Sequence, residues 1–354
     1  YSFYSKNSSQ YEESYSIINR LIVANENSLT PVNSNHLNFM EEKHVGKYKD
    51  QIVRLRPIIL PFSMKYRDYL DEEPPALEIS FYVDRNDILK TVWSLDSLDD
   101  LDIKFHIDFI NESGIDCGGL TKEFVRLAFD EIFKSETDLF DYRNNCYWFR
   151  YHNFINSAQK KEYLKKYFCV GILLGIVVLN KMTIPYHFSR YFYKKLLHRD
   201  INQADLNFFD PLLFRSLCNL INEDLTEESY VDYTYIDSLS KSEIDLVSFR
   251  DVTNDPNFEP TPLVNANKDS YITRIAEWVF DVSIREEFEA FELGFCKIRR
   301  DPMLYHSFRL DELDRIISGQ YERSWDDLKH SSHYSGFTAK SKTIVWFWKY
   351  FAQL

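Results

Sequence analysis

Turn-forming residues are scarce in this chain: nine glycines and eleven prolines in 354 residues. Such a sequence is not low in complexity, and it lacks the turn signals of an all-β fold. Its five cysteines, Cys117, Cys146, Cys169, Cys218 and Cys296, are far apart, odd in number and never arranged C-x-x-C. That argues against a disulfide framework and fits free thiols in a reducing compartment. There is no G-x-x-x-x-G-K-[ST] loop, no G-x-G-x-x-G after a strand and no G-x-S-x-G elbow, so phosphate-loop, dinucleotide and serine-hydrolase chemistry have no signature here. The longest apolar run, Tyr167 to Leu179, is too short to cross a bilayer. No secretory leader pattern opens the chain, so a soluble protein of the cytoplasm or nucleus is expected.

Positive charge is also in deficit. The net charge is −13, and residues 222–260 hold eleven acids against two bases, Lys241 and Arg250. Without a basic stripe there is no electrostatic footprint for nucleic acid. The acidic segment reads first as a solvated loop, and second as a field that steers a basic protein partner. His330 and His333 have no further ligand type near them in sequence, which makes a zinc site a poor reading. His106 reads as a solvated strand histidine, and Glu286-Glu287 as a solvated helix face rather than an acid–base couple. No cofactor is implied.

The few glycines are placed unevenly. Residues 114–124 read Gly-Ile-Asp-Cys-Gly-Gly-Leu-Thr-Lys-Glu-Phe. A chain sparing of glycine uses it where the backbone needs φ > 0 or close approach. Before this run, Ile103, Phe105, Ile107 and Phe109 alternate with polar residues; after it, Phe124, Leu127, Ala128 and Ile132 recur at helical spacing. The run is therefore a strand-to-helix corner. Leu77, Ile79, Phe81 and Val83 predict another strand, and residues 85–97 a helix. Residues 160–180 predict a helix that is apolar all round, central to a helical core, with Gly171 and Gly175 on one face for close packing. Further helices are expected around residues 188–197, 212–220, 272–280 and 311–317. The third is capped by Asp269 or Ser270, and Ser283 to Glu286 reads as a capping box. Val231, Tyr233 and Tyr235 predict a strand, and Ile344 to Trp348 an aromatic helix. Residues 1–50 are polar, with one possible helix at Tyr15–Val23. The layout is α+β, mostly helical with small β elements.

The glycine corner resembles the signature G-I-D-x-G-G-[LV]-[ST]-[RK]-E-F of the HECT domain of ubiquitin ligases. Other stretches agree in the same order: Gly171-Ile-Leu-Leu-Gly-Ile, Phe192-Tyr-Lys-Lys-Leu-Leu, Asp210-Pro211 with Arg215-Ser-Leu, Asn265-Ala-Asn-Lys, Phe288-Glu-Ala-Phe with Gly294-Phe295, and Tyr334-Ser-Gly with Trp346-Phe-Trp. The resemblance covers roughly residues 77–354. It implies an N-terminal extension at 1–50, an N-lobe at 51–317 whose small subdomain lies at about 208–282, a hinge at 318–320 and the beginning of a C-lobe at 321–354. It implies as partners a ubiquitin-conjugating enzyme, ubiquitin, and protein substrates held by regions outside this chain, with no nucleic acid and no membrane.

Carried over by position, the conjugating enzyme would sit on Leu213, Leu217, Val231, Tyr233, Tyr271 and Ile275, and Ser318-Gly319 would form the hinge. Spacing supports the grouping, since Leu213/Leu217 and Tyr271/Ile275 are i, i+4 pairs and Val231 and Tyr233 share a strand face. The alternative is that all six are core residues. Glu223 stands where family members often carry an aromatic residue. The family's thioester-forming cysteine, in a T-C-F-N setting, has no match among the five cysteines. As it stands, the chain is therefore expected to be inactive alone. The alternatives to a ligase fragment are a non-catalytic adaptor for a conjugating enzyme and an unrelated cysteine hydrolase.

Overall fold

The computed structural model describes residues 62–71, 77–98, 103–154, 156–225, 231–298, 308–319, 329 and 332–351. The extension at 1–50 with its helix at Tyr15–Val23, and His330, lie outside these residues. The described part is mostly helical, with three small sheets.

Helix α1 (Phe62–Asp71) places Tyr69 in the core. Strands β1 (Leu77–Val83) and, after helix α2 (Ile88–Trp93), β2 (Ile103–Phe109) pair in parallel, from Leu77↔Ile103 to Val83↔Phe109. The crossover helix is what a parallel pair requires. Phe105, Ile107 and Phe109 are buried and Lys104 is exposed, as the period-two pattern predicts; His106 is half-buried.

The glycine corner then turns the chain into α3 (Gly119–Ile132). Gly118 takes φ +93°, a conformation that L side chains rarely adopt. The buried Asp116 carboxylate accepts from the backbone N–H groups of Gly118 (2.7 Å), Leu120 (3.2 Å) and Ile107 (3.0 Å), and from the Thr121 hydroxyl. One side chain thus ties the strand to the first turn of the helix. Burial pushes its pKa up, but these hydrogen bonds outweigh burial and hold it below the usual aspartate value.

A hairpin follows, of β3 (Phe140–Arg143) and β4 (Cys146–Phe149). Its two-residue turn, Asn144-Asn145, has φ +47° and +62°, the two-residue form that suits the twist of paired strands. Helix α4 (Ser157–Leu179) is buried all round from Cys169 to Val178. Next come α5 (Arg190–Leu196), the short α6 (Leu206–Phe209) and α7 (Pro211–Asn222). An antiparallel sheet of β5 (Thr234–Ile236), β6 (Glu243–Asp245) and β7 (Arg250–Asp251) precedes α8 (Lys268–Phe280). Helix α9 (Arg285–Ile298) packs along α4, and α10 (Leu310–Ser318) and α11 (Lys342–Phe351) complete the described elements.

The α4–α9 contact is the closest in the core. A Cβ on Gly171 would stand 1.9 Å from the Phe291 carbonyl oxygen, and one on Gly294 2.0 Å from that of Phe168. The glycines therefore set the distance between the two helices.

Several local expectations are corrected. The strand expected through Val231 begins only at Thr234. Helix α8 starts at Lys268, so Asn267 and not Asp269 or Ser270 holds the cap position, and its side-chain oxygen accepts from the Val264 N–H three residues back (2.8 Å). In place of a Ser283 capping box there is a 3-10 turn, Val282–Ile284, and Glu286 reaches Lys160 instead. Glu286 is exposed, but Glu287 is only 5% exposed and lies in the core rather than on a solvated face.

Candidate docking site

The stretch expected from sequence to form a small subdomain contains α7, the segment 231–263 and α8. Asp210 caps α7 by accepting from the Leu213 N–H (3.0 Å), and Pro211 occupies the first turn, where its missing N–H costs nothing. This start fixes the rotation of the helix, so Leu213, Leu217 and Ile221 fall on one stripe. Segment 231–233 is held by the Leu263 N–H donating to the Val231 carbonyl and the Tyr233 N–H donating to the Thr261 carbonyl, both at 2.7 Å. The buried Lys268 ammonium, at the start of α8, donates to the carbonyls of Ile221 (3.4 Å) and Glu223. A cation over the C-terminal carbonyls of α7 is favourable, and it pins one end of α7 to the beginning of α8.

The six residues named from sequence thus come together on three elements, but they do not play one part. Leu217, Tyr233 and Ile275 are 4%, 6% and 0% exposed and lie in the interior. Leu213, Val231 and Tyr271 are half-buried and reach the surface. The Tyr233 and Tyr271 rings meet edge to face at 5.4 Å. The Tyr233 hydroxyl shares a hydrogen bond with Ser270 Oγ (2.8 Å), and the Tyr271 hydroxyl donates to the Thr234 carbonyl (2.9 Å). Burial pushes the Tyr271 hydroxyl up to about 12. Its polar end is committed inward, and the ring is what it offers a visitor.

Sequence reasoning missed Ile221, which is 47% exposed at the end of the α7 stripe; the i, i+4 spacing from Leu217 was signal enough to find it. It also missed Phe208 of α6 and Leu212 at the start of α7, both exposed. Glu223, Asp224, Asp232 and Asp269 are exposed around the ends of these elements, so the surroundings are acidic.

Ser318 and Gly319, expected from sequence to form a hinge, lie at the end of α10. Asp314 of α10 accepts from the Tyr193 hydroxyl (2.7 Å) and Ser318 Oγ (3.1 Å), and its carboxylate lies 3.1 Å from His187 Nδ1. Ser318 is thereby tied to Asp314, and the next residue, Gly319, takes φ +83°.

Cys146 and Cys169 are shifted away from the thiolate, the opposite of an activated nucleophile. Burial pushes Cys169 up to about 11 and also raises Cys146, to which the Asp314 charge adds; Cys117 is exposed, and Cys218 and Cys296 are half-buried. Among the described residues, no group of three or more His, Cys, Asp or Glu could hold a metal ion, and no helix is long and apolar enough to cross a membrane.

Comparison with known proteins matches this architecture to one class. The family model of the HECT-domain (ubiquitin-transferase) matches residues 126–354. This chain belongs to the HECT-domain family. The glycine corner lies just ahead of the matched stretch. Relatives include the probable E3 ubiquitin-protein ligase HERC6 of Homo sapiens, 28% identical over 294 residues, 80% of this chain and 27% of that protein. The E3 ubiquitin-protein ligase pub3 of Schizosaccharomyces pombe is 29% identical over 260 residues, 72% of this chain and 32% of its own length. The E3 ubiquitin-protein ligase ptr1 of the same yeast is 26% identical over 249 residues, 70% of this chain and 7% of its own length. The chain spans about a third or less of each.

Proposed function

We propose that this chain is the recruiting part of a HECT-type ubiquitin ligase, and that the surface of Leu213, Ile221, Val231 and Tyr271 receives a ubiquitin-conjugating enzyme. The observation that carries this is the meeting of α7, segment 231–235 and α8, which leaves apolar side chains half-open above a packed interior. Such a surface suits an apolar or aromatic anchor from a partner, as interface hot spots do. The acidic surroundings favour a partner whose own rim is basic, and this acts mainly on the association rate.

In the complete enzyme a cysteine thiolate attacks the thioester carbon of the conjugating enzyme's ubiquitin and expels the conjugating enzyme's thiolate. A substrate lysine amine then attacks the new thioester, forms an amide and releases the cysteine. None of the five cysteines here stands in the family's T-C-F-N setting, and docking is the part proposed for the residues described. A swing at Gly319 would carry the thiol from donor to acceptor. Cytoplasm or nucleus is the proposed place of action.

The test is titration of the chain with a panel of conjugating enzymes. At least one should bind saturably, with Leu213→Ala and Tyr271→Ala weakening it about tenfold or more each. Equal affinity for both variants and the parent chain would rule this surface out.

A further inference from the structure

Helix α8 has a second face. Behind it lies a cleft of about 710 Å³, within the range of ligand sites. Its walls come from the end of α5 and the turn after it, from α8, and from the first half of α9. On α9 the residues Arg285, Phe288, Glu289 and Glu292 line the cleft. They are spaced i, i+3, i+4 and i+7, and so form one stripe.

The charges in the cleft are unequal. Five carboxylates line it against three permanent cations, Lys195, Arg199 and Arg285. Two of those cations are already committed to one acid: Asp281 accepts from Lys195 Nζ (2.8 Å) and from Arg285 (2.5 Å). Arg199 donates to the Phe308 carbonyl (3.1 Å). Glu292 is different. Its Oε1 is buried and accepts no hydrogen bond; His198 Nε2 lies 3.3 Å away but without the alignment of one. The His198 ring, when protonated, offsets part of the lost hydration, and the oxygen keeps acceptor capacity for a further donor. Phe280 and Phe288 are among the lining residues, each with only an edge open, 3% and 4% exposed. The Phe288 ring already carries one cation, the Lys195 ammonium 5.1 Å from its centroid.

We propose that this cleft takes an arginine side chain presented by a protein partner, its guanidinium donating to Glu292 and Glu289. The chemistry favours arginine on three counts. A guanidinium has several N–H donors in a fixed planar fork that can meet two carboxylates at once. It is weakly hydrated, so burial costs it less than it costs an ammonium. A chain of net charge −13 also attracts cationic segments. Helix α8 is shared between this cleft and the docking surface, but the site does not depend on that surface being used.

The test is titration of the chain with N-acetyl-arginine N-methylamide at low salt, followed by NMR chemical shifts, beside the isosteric citrulline and the lysine compounds. The arginine compound should saturate, perturb α8 and α9 resonances, and bind about tenfold or more tightly than either analogue. Glu292→Gln should lower its affinity about tenfold, with the thermal transition kept. Glu289→Gln, at an exposed position, should weaken binding in the same direction and serves if the first variant does not fold. Absence of a saturable shift, equal binding of citrulline or lysine, or unchanged affinity in both variants would overturn the proposal.

Discussion

At the scale of single residues, the molecule depends on a few positions where one atom decides. Gly171 and Gly294 let α4 and α9 touch backbone to backbone, and an added methyl group would meet a carbonyl oxygen at 1.9 Å or 2.0 Å. Gly171→Ala should therefore cost about 3 kcal/mol or more, because a backbone cannot yield as a side-chain tip can. Gly119 has nothing within 4 Å of an added Cβ and no positive φ. Gly119→Ala should be neutral or stabilising by about 0.5 kcal/mol. Urea denaturation of both variants checks the contrast. Glu287 is a second such position. Burial pushes its carboxyl up to about 7, against an unfolded value of about 4.3. A raised carboxyl stabilises the fold fully below the unfolded value, and that contribution is lost as pH rises through about 7. Glu287→Gln should thus stabilise the chain at pH 8 by on the order of 3 kcal/mol and change little at pH 4. A pH series of melting curves decides it, and an equal effect at both values would contradict the assignment. The sequence offered no warning of this residue, since Glu286-Glu287 looks like an exposed pair and only the rotation of α9 separates them.

At the scale of elements, what was legible followed a period. β1, β2, α3 and the all-apolar stretch of α4 were readable because side-chain alternation reports the buried face directly. The glycine corner was readable because Gly118 needs its left-handed backbone. The hairpin of β3 and β4 was not, because its turn uses Asn144-Asn145 without a glycine, and its four-residue strands are too short to show alternation. The helix starts were misplaced for a related reason. Asn267 reaches back three residues to the Val264 N–H and leaves no cap role to Asp269 or Ser270, while Glu286 pairs with Lys160, a tertiary partner that no local pattern contains. The corner itself yields a prediction. Asp116→Ala removes four hydrogen bonds joining β2 to α3 and should cost about 2–3 kcal/mol. Its folded pKa is depressed, so this stabilisation is present above the unfolded value near 3.9 and is lost as pH falls through the folded one. The gap between the parent chain and Asp116→Asn should accordingly narrow in acid, which the same melting series would show.

At the scale of the whole molecule, the sequence motifs led to the right family, but they did not sort the six docking candidates into interior and surface. Spacing places Leu213 and Leu217 on one face, yet it does not say which lies under the other. The structure puts Leu217 and Ile275 inside and leaves Leu213 and Tyr271 at the surface. Leu217→Ala should consequently destabilise the chain by about 2–4 kcal/mol, and any loss of binding it causes would be a poor guide to contact. Equilibrium unfolding of Leu217→Ala beside Leu213→Ala separates the two cases, with Leu213→Ala costing less.

The central claim is that the chain receives a ubiquitin-conjugating enzyme on α7, segment 231–235 and the start of α8. Its most direct test is hydrogen exchange of the whole chain with and without a saturating conjugating enzyme. The account predicts slowed exchange in residues 211–222, 231–235 and 268–275, with α4 and α9 unchanged. Protection confined to other elements, with these three segments exchanging as freely as before, would contradict it.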